Sequence, residues 1–485
     1  MARLFALVLL ALWTPALTAA DRPNFVIINV DDLGYGDIGP FGSTKNKTPH
    51  LDRMAREGRK LTSHYAAPVC SPSRAALMTG CYPKRVLPIP HVLFPVAAVG
   101  LHPQELTVAE LLKQQGYATA CIGKWHLGDQ PEFLPTRQGF DYYFGLPYSN
   151  DMGTGADGSK SNPGKPLPKP AANKTGPNPA NDETGLRGFD QPPLPLLENE
   201  RVIEQVAAAE QGTLTRRYSE KARQFVRDHA KEPFFLYWPH TAVHFPHYPA
   251  EKDRGRSGNG LLNDWVEEVD DTVGELLATL RELDLDQKTL VLFMSDNGGS
   301  LPHGSSNGPL RGSKGQTFEG GIRVPLIARW PGRIPAGTAT DEATAMLDLL
   351  PTLVSLAGGT LPADRKFDGH DITPLLLGIA DARSLHEPFY YFRGFALEAV
   401  RAGHWKLHLK SGELYDLQAD VGEQKNVAAA NAEVVTRLRA LASKMDGDLG
   451  VDGLGPGCRA LGRVATPLPF IDRDGHIREG FAPPR

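Results

Sequence analysis

Two short acidic motifs stand directly after apolar runs, and their side chains are of a kind that binds metal ions. Asp31-Asp32 follow the run F-V-I-I-N-V, and Asp296-Asn297 follow T-L-V-L-F-M-S. Ligands bind outside the carboxyl ends of strands in open α/β sheets, so both motifs are expected to face one crevice. Three carboxylates and an amide carbonyl are hard donors suited to Ca²⁺ or Mg²⁺, and the lack of histidine in this set disfavours Zn²⁺. Taken alone, each pair is more typical of a turn or a helix cap.

Four other motifs carry reactive or cationic side chains. They are C-S-P-S-R with Cys70 and Arg74, G-K-W-H-L-G with Lys124 and His126, H-T-A-V-H-F-P with His244, and the glycine-rich R-G-S-K-G with Lys314. Each has a structural interpretation when taken alone: Cys70 in a disulfide, Lys124 with its charge at the surface, His126 and His244 as satisfied histidines, and a turn-rich loop around Lys314. Their occurrence together, in one chain with the acidic motifs, favours a catalytic site.

In their order along the chain, these motifs resemble those of the sulfatase family of the alkaline-phosphatase superfamily. The order is D-D-x-G-x-G, C-x-P-S-R, G-K-W-H-L-G, a histidine after a mid-chain strand, S-D-N-G-G, and R-G-x-K with E-G-G-x-R-V-P. The resemblance runs from about Asn24 to the C-terminal helix. The segment 145–151 is also similar to an arylsulfatase segment whose serine, here Ser149, lies in the active site. Cys81 departs from the pattern, since relatives usually carry arginine there.

The resemblance implies a set of site residues. It implies a calcium ion, with magnesium as a substitute, held by Asp31, Asp32, Asp296, Asn297 and the modified Cys70. It implies that the sulfate and the nucleophile are surrounded by Arg74, Lys124, His126, Ser149, His244 and Lys314. A sulfate monoester spreads one negative charge over its oxygens, and preorganised cations are the largest stabilising contribution available to it. The implied set supplies such cations.

The resemblance also implies a mechanism. A formylglycine-generating enzyme converts Cys70 to formylglycine, and one hydroxyl of the hydrated aldehyde attacks sulfur. The other hydroxyl then loses a proton as the aldehyde re-forms and expels inorganic sulfate. His126 is expected to take that proton, and His244, with Lys314, to protonate the departing oxygen. The implied activity is hydrolysis of sulfate monoesters, aryl sulfates in vitro and a sulfated sugar or glycan in nature.

Apolar runs alternate with helical patterns over most of the length. Strands are predicted at 24–30, 118–122, 234–238 and 289–294, and a long amphipathic helix lies between the last two. Thr48-Pro49 is expected to cap and open a helix that ends at Gly58, and Thr107 with Glu110 forms a capping-box pattern. This alternation predicts an α/β fold with helices on both faces of a parallel sheet, and the resemblance makes it an alkaline-phosphatase-like mixed, mostly parallel sheet.

Changes of texture along the chain predict its organisation. Residues 1–20 read as a signal peptide, with Arg3, an apolar run and small residues before Asp21. A catalytic α/β domain is predicted for 21–377, with an irregular insertion rich in proline and glycine at 153–195. Residues 378–485 read as a smaller α+β subdomain of short antiparallel strands and one helix, with a tail.

Composition excludes other classes. A net charge of −4 over 485 residues, with no basic run, argues against a nucleic-acid partner. The apolar run of the leader is shorter than the roughly 20 residues that span a bilayer, so no membrane anchor is expected. The protein is expected to be exported, to the periplasm or outside a bacterial cell, or to the lysosome or outside a eukaryotic one. Four cysteines, Cys70, Cys81, Cys121 and Cys458, are too few for a disulfide framework.

Three other functions remain compatible with these motifs. A phosphatase or phosphonate monoester hydrolase uses the same scaffold, although relatives of that kind often bind a second metal through histidine where Asn297 stands. A non-catalytic secreted glycan-binding protein is a second alternative, and a thiol hydrolase that uses Cys70 and His244 is a third. The natural substrate is left open, and its specificity is expected to lie in 87–100, 153–195 and the C-terminal subdomain.

Overall fold

The structure is a computed structural model that describes residues 22–155, 158–167 and 182–483. The predicted signal peptide lies outside these ranges, as do residues 168–181 of the predicted insertion. Within the described ranges, every helix is too short or too polar to cross a bilayer. The strands are β1 (Asn24–Val30), β2 (Arg59–Tyr65), β3 (Val99–Gly100), β4 (Ala118–Ile122), β5 (Tyr142–Gly145), β6 (Pro195–Glu198), β7 (Arg201–Gln205), β8 (Phe234–Pro239), β9 (Thr289–Ser295), β10 (Arg323–Arg329), β11 (Thr338–Thr340), β12 (Thr344–Ala345), β13 (Phe389–Arg393), β14 (Ala396–Ala402), β15 (Trp405–His408), β16 (Leu414–Asp416) and β17 (Gly462–Arg463).

The helices alternate with the strands of the main sheet for most of the chain. They are α1 (Pro49–Glu57), α2 (Cys70–Thr79), α3 (Pro83–Val86), α4 (Val108–Gln114), α5 (Ala208–Gln211), α6 (Leu214–Asp228), α7 (Leu261–Glu282), α8 (Glu319–Ile322), α9 (Leu349–Leu356), α10 (Thr373–Leu376) and α11 (Ala432–Ser443). Short 3-10 turns join several of these elements.

The main sheet has the order β11-β2-β10-β9-β1-β8-β4-β5-β6-β7, with β12 paired to β2. The central strands β9, β1, β8, β4 and β5 are mutually parallel, whereas β10 and β6 run antiparallel to their neighbours. β1 lies at the centre and is buried along its whole length. The predicted mixed, mostly parallel sheet is therefore confirmed.

Helices cover both faces of this sheet. Successive side chains of a strand point to opposite faces, and in β1 Phe25 and Ile27 belong to one apolar core while Val26 and Ile28 belong to the other. The first core includes residues of α2, α4 and α9, and the second includes residues of α1, α6 and α7. This double covering explains why the central strands read as continuous apolar runs.

Helix caps distinguish a correct local prediction from a wrong one. The Thr107 hydroxyl accepts from Glu110 N and the Glu110 carboxylate accepts from Thr107 N, so the predicted capping box of α4 is present. Thr48 precedes α1 as expected, but its hydroxyl accepts from Gly39 N and does not cap the helix. The carboxylate of Asp270, on α7, accepts from the first-turn amides instead, so a tertiary contact takes the place of the predicted cap.

The C-terminal part forms a four-stranded antiparallel sheet in the order β13-β14-β15-β16, packed against α11. A buried ionic cluster joins this sheet to the segment before β10. The Lys406 ammonium lies 2.8 Å from a carboxylate oxygen of Glu319 and 3.1 Å from one of Glu423. Glu423 also accepts from Glu319 N at 2.6 Å, and its carbonyl accepts from Arg311 at 2.9 Å. The C-terminal sheet is thereby fixed to both ends of the loop that carries Lys314.

Candidate active site

The two acidic motifs meet because their strands are neighbours. β1 and β9 pair in parallel with Val30 opposite Ser295, and Asp296 N donates to the Val30 carbonyl at 3.0 Å. Asp32 follows with a left-handed φ of 58°, and its amide lies 3.3 Å from an Asp296 carboxylate oxygen. The predicted crevice at the carboxyl ends of the strands is present and holds both motifs.

Buried donors in this crevice fit a hard divalent cation. Ligand atoms of Asp31, Asp32, Cys70 and Asp296 all lie within 4.8 Å of one another, and all four residues are buried. The amide nitrogen of Asn297 donates to Asp32 at 2.8 Å, while its carbonyl oxygen is buried without a hydrogen-bond donor among the described residues. Such an oxygen is an available ligand, so the predicted set can hold Ca²⁺ or Mg²⁺.

The electrostatics of the carboxylates support this fit. Burial and the neighbouring Asp31 carboxylate raise the pKa of Asp296 to about 7. Burial alone would also raise the pKa of Asp31, but the charges of Lys124, His244 and Arg74 hold it well below its usual value. Carboxylates packed this closely repel one another, and a divalent cation between them removes that repulsion.

Cys70 begins α2 and faces the acidic cluster. It is 1 % exposed, and its thiol donates to Asp31 Oδ1 at 3.3 Å. Burial and the Asp31 charge raise the thiol pKa well above its usual value. The adjacent motif residues fix the turn, because Ser73 Oγ donates to the Ala67 carbonyl at 3.0 Å and Ser71 Oγ accepts from Leu93 N at 3.2 Å. The motif therefore orients residue 70 towards the metal ligands.

Arg74 lies one helical turn beyond Cys70 and is completely buried. Its guanidinium donates to Asp296 Oδ2 through Nε at 3.0 Å and through Nη2 at 2.8 Å. Its Nη1 donates to the carbonyl of Lys124. Arg74 thus ties α2 to the end of β9 and to the Lys124 segment, and it places a fixed positive charge beneath the site.

Lys124 follows β4 and reaches the same carboxylates from the other side. Its buried ammonium donates to Asp31 Oδ2 and, at 3.0 Å, to the Ser149 hydroxyl. Two residues later, Nε2 of the buried His126 lies 2.8 Å from the Leu93 carbonyl. Burial, with the charges of Lys124 and Arg74, holds the pKa of His126 well below its usual value, so this imidazole is neutral. Because Nε2 must donate to a carbonyl, Nδ1 is the unprotonated nitrogen.

Lys314 and His244 close the mouth of the site. The Lys314 ammonium lies 2.7 Å from Asp32 Oδ1 and 2.8 Å from Oδ2. Although burial opposes the charge of Lys314, the Asp32 carboxylate holds its pKa well above the usual value. Nε2 of His244 lies 3.7 Å from Asp32 Oδ2, and its ring also comes within 4.8 Å of Asp31 and the Cys70 sulfur. The structure thus brings together the residues that the sequence analysis singled out.

Three further residues at the mouth escaped the sequence analysis. Phe245 and His303 stack with ring centroids 4.2 Å apart and planes 11° from parallel. Asp151 Oδ1 lies 4.0 Å from His244 Nδ1. Burial and the His244 charge lower the pKa of His303, which places this ring beside the predicted acid. Asp151 and Phe245 lie within two residues of the predicted Ser149 and His244, so their place in the sequence could have indicated them. His303 lies in a turn that reaches the mouth only after folding.

Comparisons with known proteins agree with this geometry. The family described as Sulfatase matches residues 23–359, and the one described as N-sulphoglucosamine sulphohydrolase, C-terminal, matches 313–447. Arylsulfatase A of Homo sapiens is 39% identical over 469 residues, which cover 88% of this chain and 88% of the relative. N-acetylgalactosamine-6-sulfatase of Canis lupus familiaris is 38% identical over 416 residues, covering 83% and 74%. The crystal structure of Ps i-CgsB with k-i-k-neocarrahexaose has a TM-score of 0.73 at 30% identity, covering 87% of this chain and 92% of that one.

Proposed function

Because this chain belongs to the sulfatase family of sulfuric ester hydrolases, we propose that it cleaves a sulfate monoester at the site around Cys70. The products are an alcohol and inorganic sulfate, and formylglycine made from Cys70 is the nucleophile. The observation that carries the proposal is the position of Cys70, whose sulfur lies 3.3 Å from Asp31 within a buried cluster of oxygen ligands. A formylglycine-generating enzyme is the partner that this maturation requires.

The charges around residue 70 suit a sulfate monoester. Arg74, Lys124 and Lys314 bring three cations to one crevice, and such preorganised charges stabilise the charge that develops on the departing group. Asp31, Asp32, Asp296 and Asn297 would hold Ca²⁺ or Mg²⁺. When bound, this ion supplies a Lewis acid for the sulfate and for the hydroxyls of residue 70. The Ser149 hydroxyl, which Lys124 holds, is left to contact the sulfate.

Two histidines divide the proton transfers. Hydrated formylglycine offers one hydroxyl for attack on sulfur and a second whose deprotonation releases sulfate. His126 takes that proton at Nδ1, because its Nε2 is committed to the Leu93 carbonyl. His244, half-buried at the mouth beside Asp32 and Lys314, gives a proton to the alcohol oxygen as it departs.

The alternative functions are less well supported. Asn297 stands where metal-ligating histidine is expected in phosphate-cleaving relatives, which favours a single metal ion and a sulfate ester. A thiol hydrolase needs the Cys70 thiolate, and the raised pKa of this thiol opposes its formation. A glycan-binding protein without activity would have no need for a buried cysteine among carboxylates.

The substrate class that we propose is a sulfated sugar or glycan. The relatives include an N-acetylgalactosamine-6-sulfatase, and a structural neighbour was crystallised with a neocarrahexaose. We further propose that the catalytic domain spans 21–377 and the smaller subdomain 378–485, since the antiparallel sheet begins with β13. Export to the periplasm, the lysosome or the medium rests on the leader at 1–20.

The test compares nitrophenyl sulfate with nitrophenyl phosphate, using wild type and Cys70→Ala. Wild type should cleave the sulfate ester faster, and Cys70→Ala should be inactive. The peptide containing residue 70 should be about 18 Da lighter than its cysteine form, as expected for conversion of the thiol to the aldehyde that forms the nucleophile. Faster cleavage of the phosphate ester, or full activity with unmodified cysteine, would refute the proposal.

A further inference from the structure

A large groove lies between the loop that follows Lys314 and the C-terminal sheet. We call it the interdomain groove. It has a volume of about 1240 Å³, above the roughly 300–1,000 Å³ of ordinary small-molecule sites. Its lining includes Gln316, Thr317, Arg393, Lys410, Arg439 and Ser443. A space of this size exceeds what one sulfated sugar ring needs.

One end of the groove adjoins the mouth of the active site. Gln316 and Thr317 lie two and three residues after Lys314. Thr317 Oγ donates to Glu398 on the opposite wall at 2.8 Å. Segment 90–93 borders the active site, because Leu93 N donates to Ser71 Oγ at 3.2 Å and the Leu93 carbonyl lies 2.8 Å from His126 Nε2. A side chain at Gly394 would come within 2.6 Å of the Pro90 carbonyl, so the turn after Arg393 sits against the segment that carries His91. The groove and the sulfate site therefore share this corner.

Two cationic side chains line the groove near the turn between β15 and β16. Lys410 and Arg439 are exposed, and neither forms an ion pair within the described ranges. The Arg439 guanidinium lies 3.3 Å from the position of a side chain at Gly412, which places it over the turn that carries Lys410.

Three acidic residues also line the groove, and one of them neutralises a cation of the lining. Glu398 is paired with Arg393 at 2.7 Å. Asp446 and Asp452 are exposed, and the Asp446 carboxylate accepts from Val451 N at 3.2 Å. With Arg393 committed to Glu398, Lys410 and Arg439 are the lysine and arginine of the lining that stay available to an anionic ligand, among the described residues.

We propose that the interdomain groove binds the part of a sulfated oligosaccharide that remains attached to the departing oxygen. Lys410 and Arg439 would pair with a sulfate or carboxylate on a neighbouring sugar, while Gln316 and Thr317 guide the chain away from the mouth. This proposal rests on the proposed function, and it makes the substrate an anionic oligosaccharide of more than one residue. It assigns Lys410 and Arg439 to specificity and leaves the chemistry to the residues around Cys70.

The test uses a double variant, Lys410→Ala/Arg439→Ala. Its matched control is Lys288→Ala/Arg333→Ala, which removes the same charge from another groove, of about 680 Å³. Lys288 precedes β9 and Arg333 follows β10, so this control groove lies at the sheet edge opposite the carboxylates. The substrates are nitrophenyl sulfate, a panel of chondroitin, heparan and carrageenan tetrasaccharides, and the matching sulfated monosaccharides.

We expect wild type to have a higher kcat/KM on its best tetrasaccharide than on the matching monosaccharide. In the Lys410/Arg439 variant, the ratio of the tetrasaccharide kcat/KM to the monosaccharide kcat/KM should fall about tenfold, the size expected for two partly exposed charged contacts. Its turnover of nitrophenyl sulfate, and every ratio of the control variant, should stay at wild-type values. An unchanged ratio in the Lys410/Arg439 variant would refute the proposal that the groove binds the oligosaccharide, as would a wild type that prefers no tetrasaccharide. Either result would leave the proposed function intact.

Failure of the proposed function has a different signature, namely that wild type cleaves none of these esters. Calorimetric binding of the same tetrasaccharides then tests whether the groove binds an oligosaccharide. A tenfold weaker Kd in the Lys410/Arg439 variant alone would support the groove, and equal Kd values in all three proteins would refute it.

Discussion

His244 is the residue whose proposed role depends most on the substrate. A nitrophenolate departs with little help, whereas a sugar alkoxide has a high pKa and needs a proton in the transition state. General acid catalysis contributes roughly 100- to 10,000-fold, so His244→Ala should lose that much more kcat/KM on a sulfated monosaccharide than on nitrophenyl sulfate. The measurement is kcat/KM of wild type and variant on both substrates.

The control for this variant is His229→Ala, which alters a surface histidine. His229 pairs with Glu232 at 2.7 Å and is not among the residues of the active site. It should leave both values unchanged. Equal losses on the two substrates in His244→Ala would move the acid role to Lys314, which shares Asp32 with His244.

At this scale the sequence predicted which side chains would lie together, because they occur in contiguous motifs. Asp31, Lys124 and Asp296 each follow a strand, so the parallel sheet alone brings them to one edge. His303 was missed because it lies in a short turn, and only the folded chain brings its ring onto Phe245. No spacing in the sequence records such a contact between two distant loops.

The ends of β1 and β9 carry the proposed metal ligands, so a bound ion would also stabilise the fold. Chelation should abolish turnover and lower the melting temperature, because an ion bound only by the folded state stabilises it by about 2.7 kcal/mol at 100 times its Kd. Ca²⁺ or Mg²⁺ should restore both properties. Activity assays and thermal unfolding with and without chelator measure them, and restoration only by zinc or manganese would contradict the ligand assignment.

Local patterns predicted elements well wherever their hydrogen bonds are local. The capping box of α4 is closed within four residues and was correctly predicted. The cap of α1 was wrong because Asp270 lies 219 residues from Leu51 in sequence, and propensity contains no information about it. The glycine-rich segment around Lys314 read as a turn-rich loop, yet it ends in α8 and leads into β10.

The joint between the C-terminal sheet and the main body depends on buried charge. Burial would raise the pKa of Glu319, but Lys406, followed by Arg323 and Arg401, lowers it to about 2. Glu319 therefore contributes stability that is fully present above its unfolded pKa and is lost only as the pH falls towards 2. In the wild type, this group should therefore change the free energy of unfolding little between pH 8 and 5.

Lys406→Met should destabilise the protein by about 3–5 kcal/mol at neutral pH, the cost of leaving one side of a buried ion pair without its partner. Without Lys406 the pKa of Glu319 rises, so part of this loss should be recovered as the pH decreases from 8 to 5. Denaturant unfolding at several pH values measures this. Lys113→Met, which breaks an exposed pair with Asp141, should cost about 1 kcal/mol or less. Equal effects of the two variants would contradict the structural role of the cluster.

At the scale of the whole molecule, texture changes predicted a second sheet near the C-terminus but not how it is attached. Glu423 lies in a polar segment after β16, and Lys406, His408 and the amide of Glu319 converge on its buried carboxylate. The interdomain groove was not predicted either, because its walls come from three separate parts of the chain, 315–318, 393–411 and 439–452, and periodicity does not relate such distant segments.

The burial of Cys70 sets an order of events in time. At 1 % exposure, on the first turn of α2 and behind the strand ends, this side chain is out of reach of any modifying enzyme once the chain has folded. The proposed conversion to formylglycine must therefore take place before the chain folds. A chain that folds before conversion keeps the Cys70 thiol. The yield of active enzyme in a given host therefore depends on the rate of conversion relative to the rate of folding.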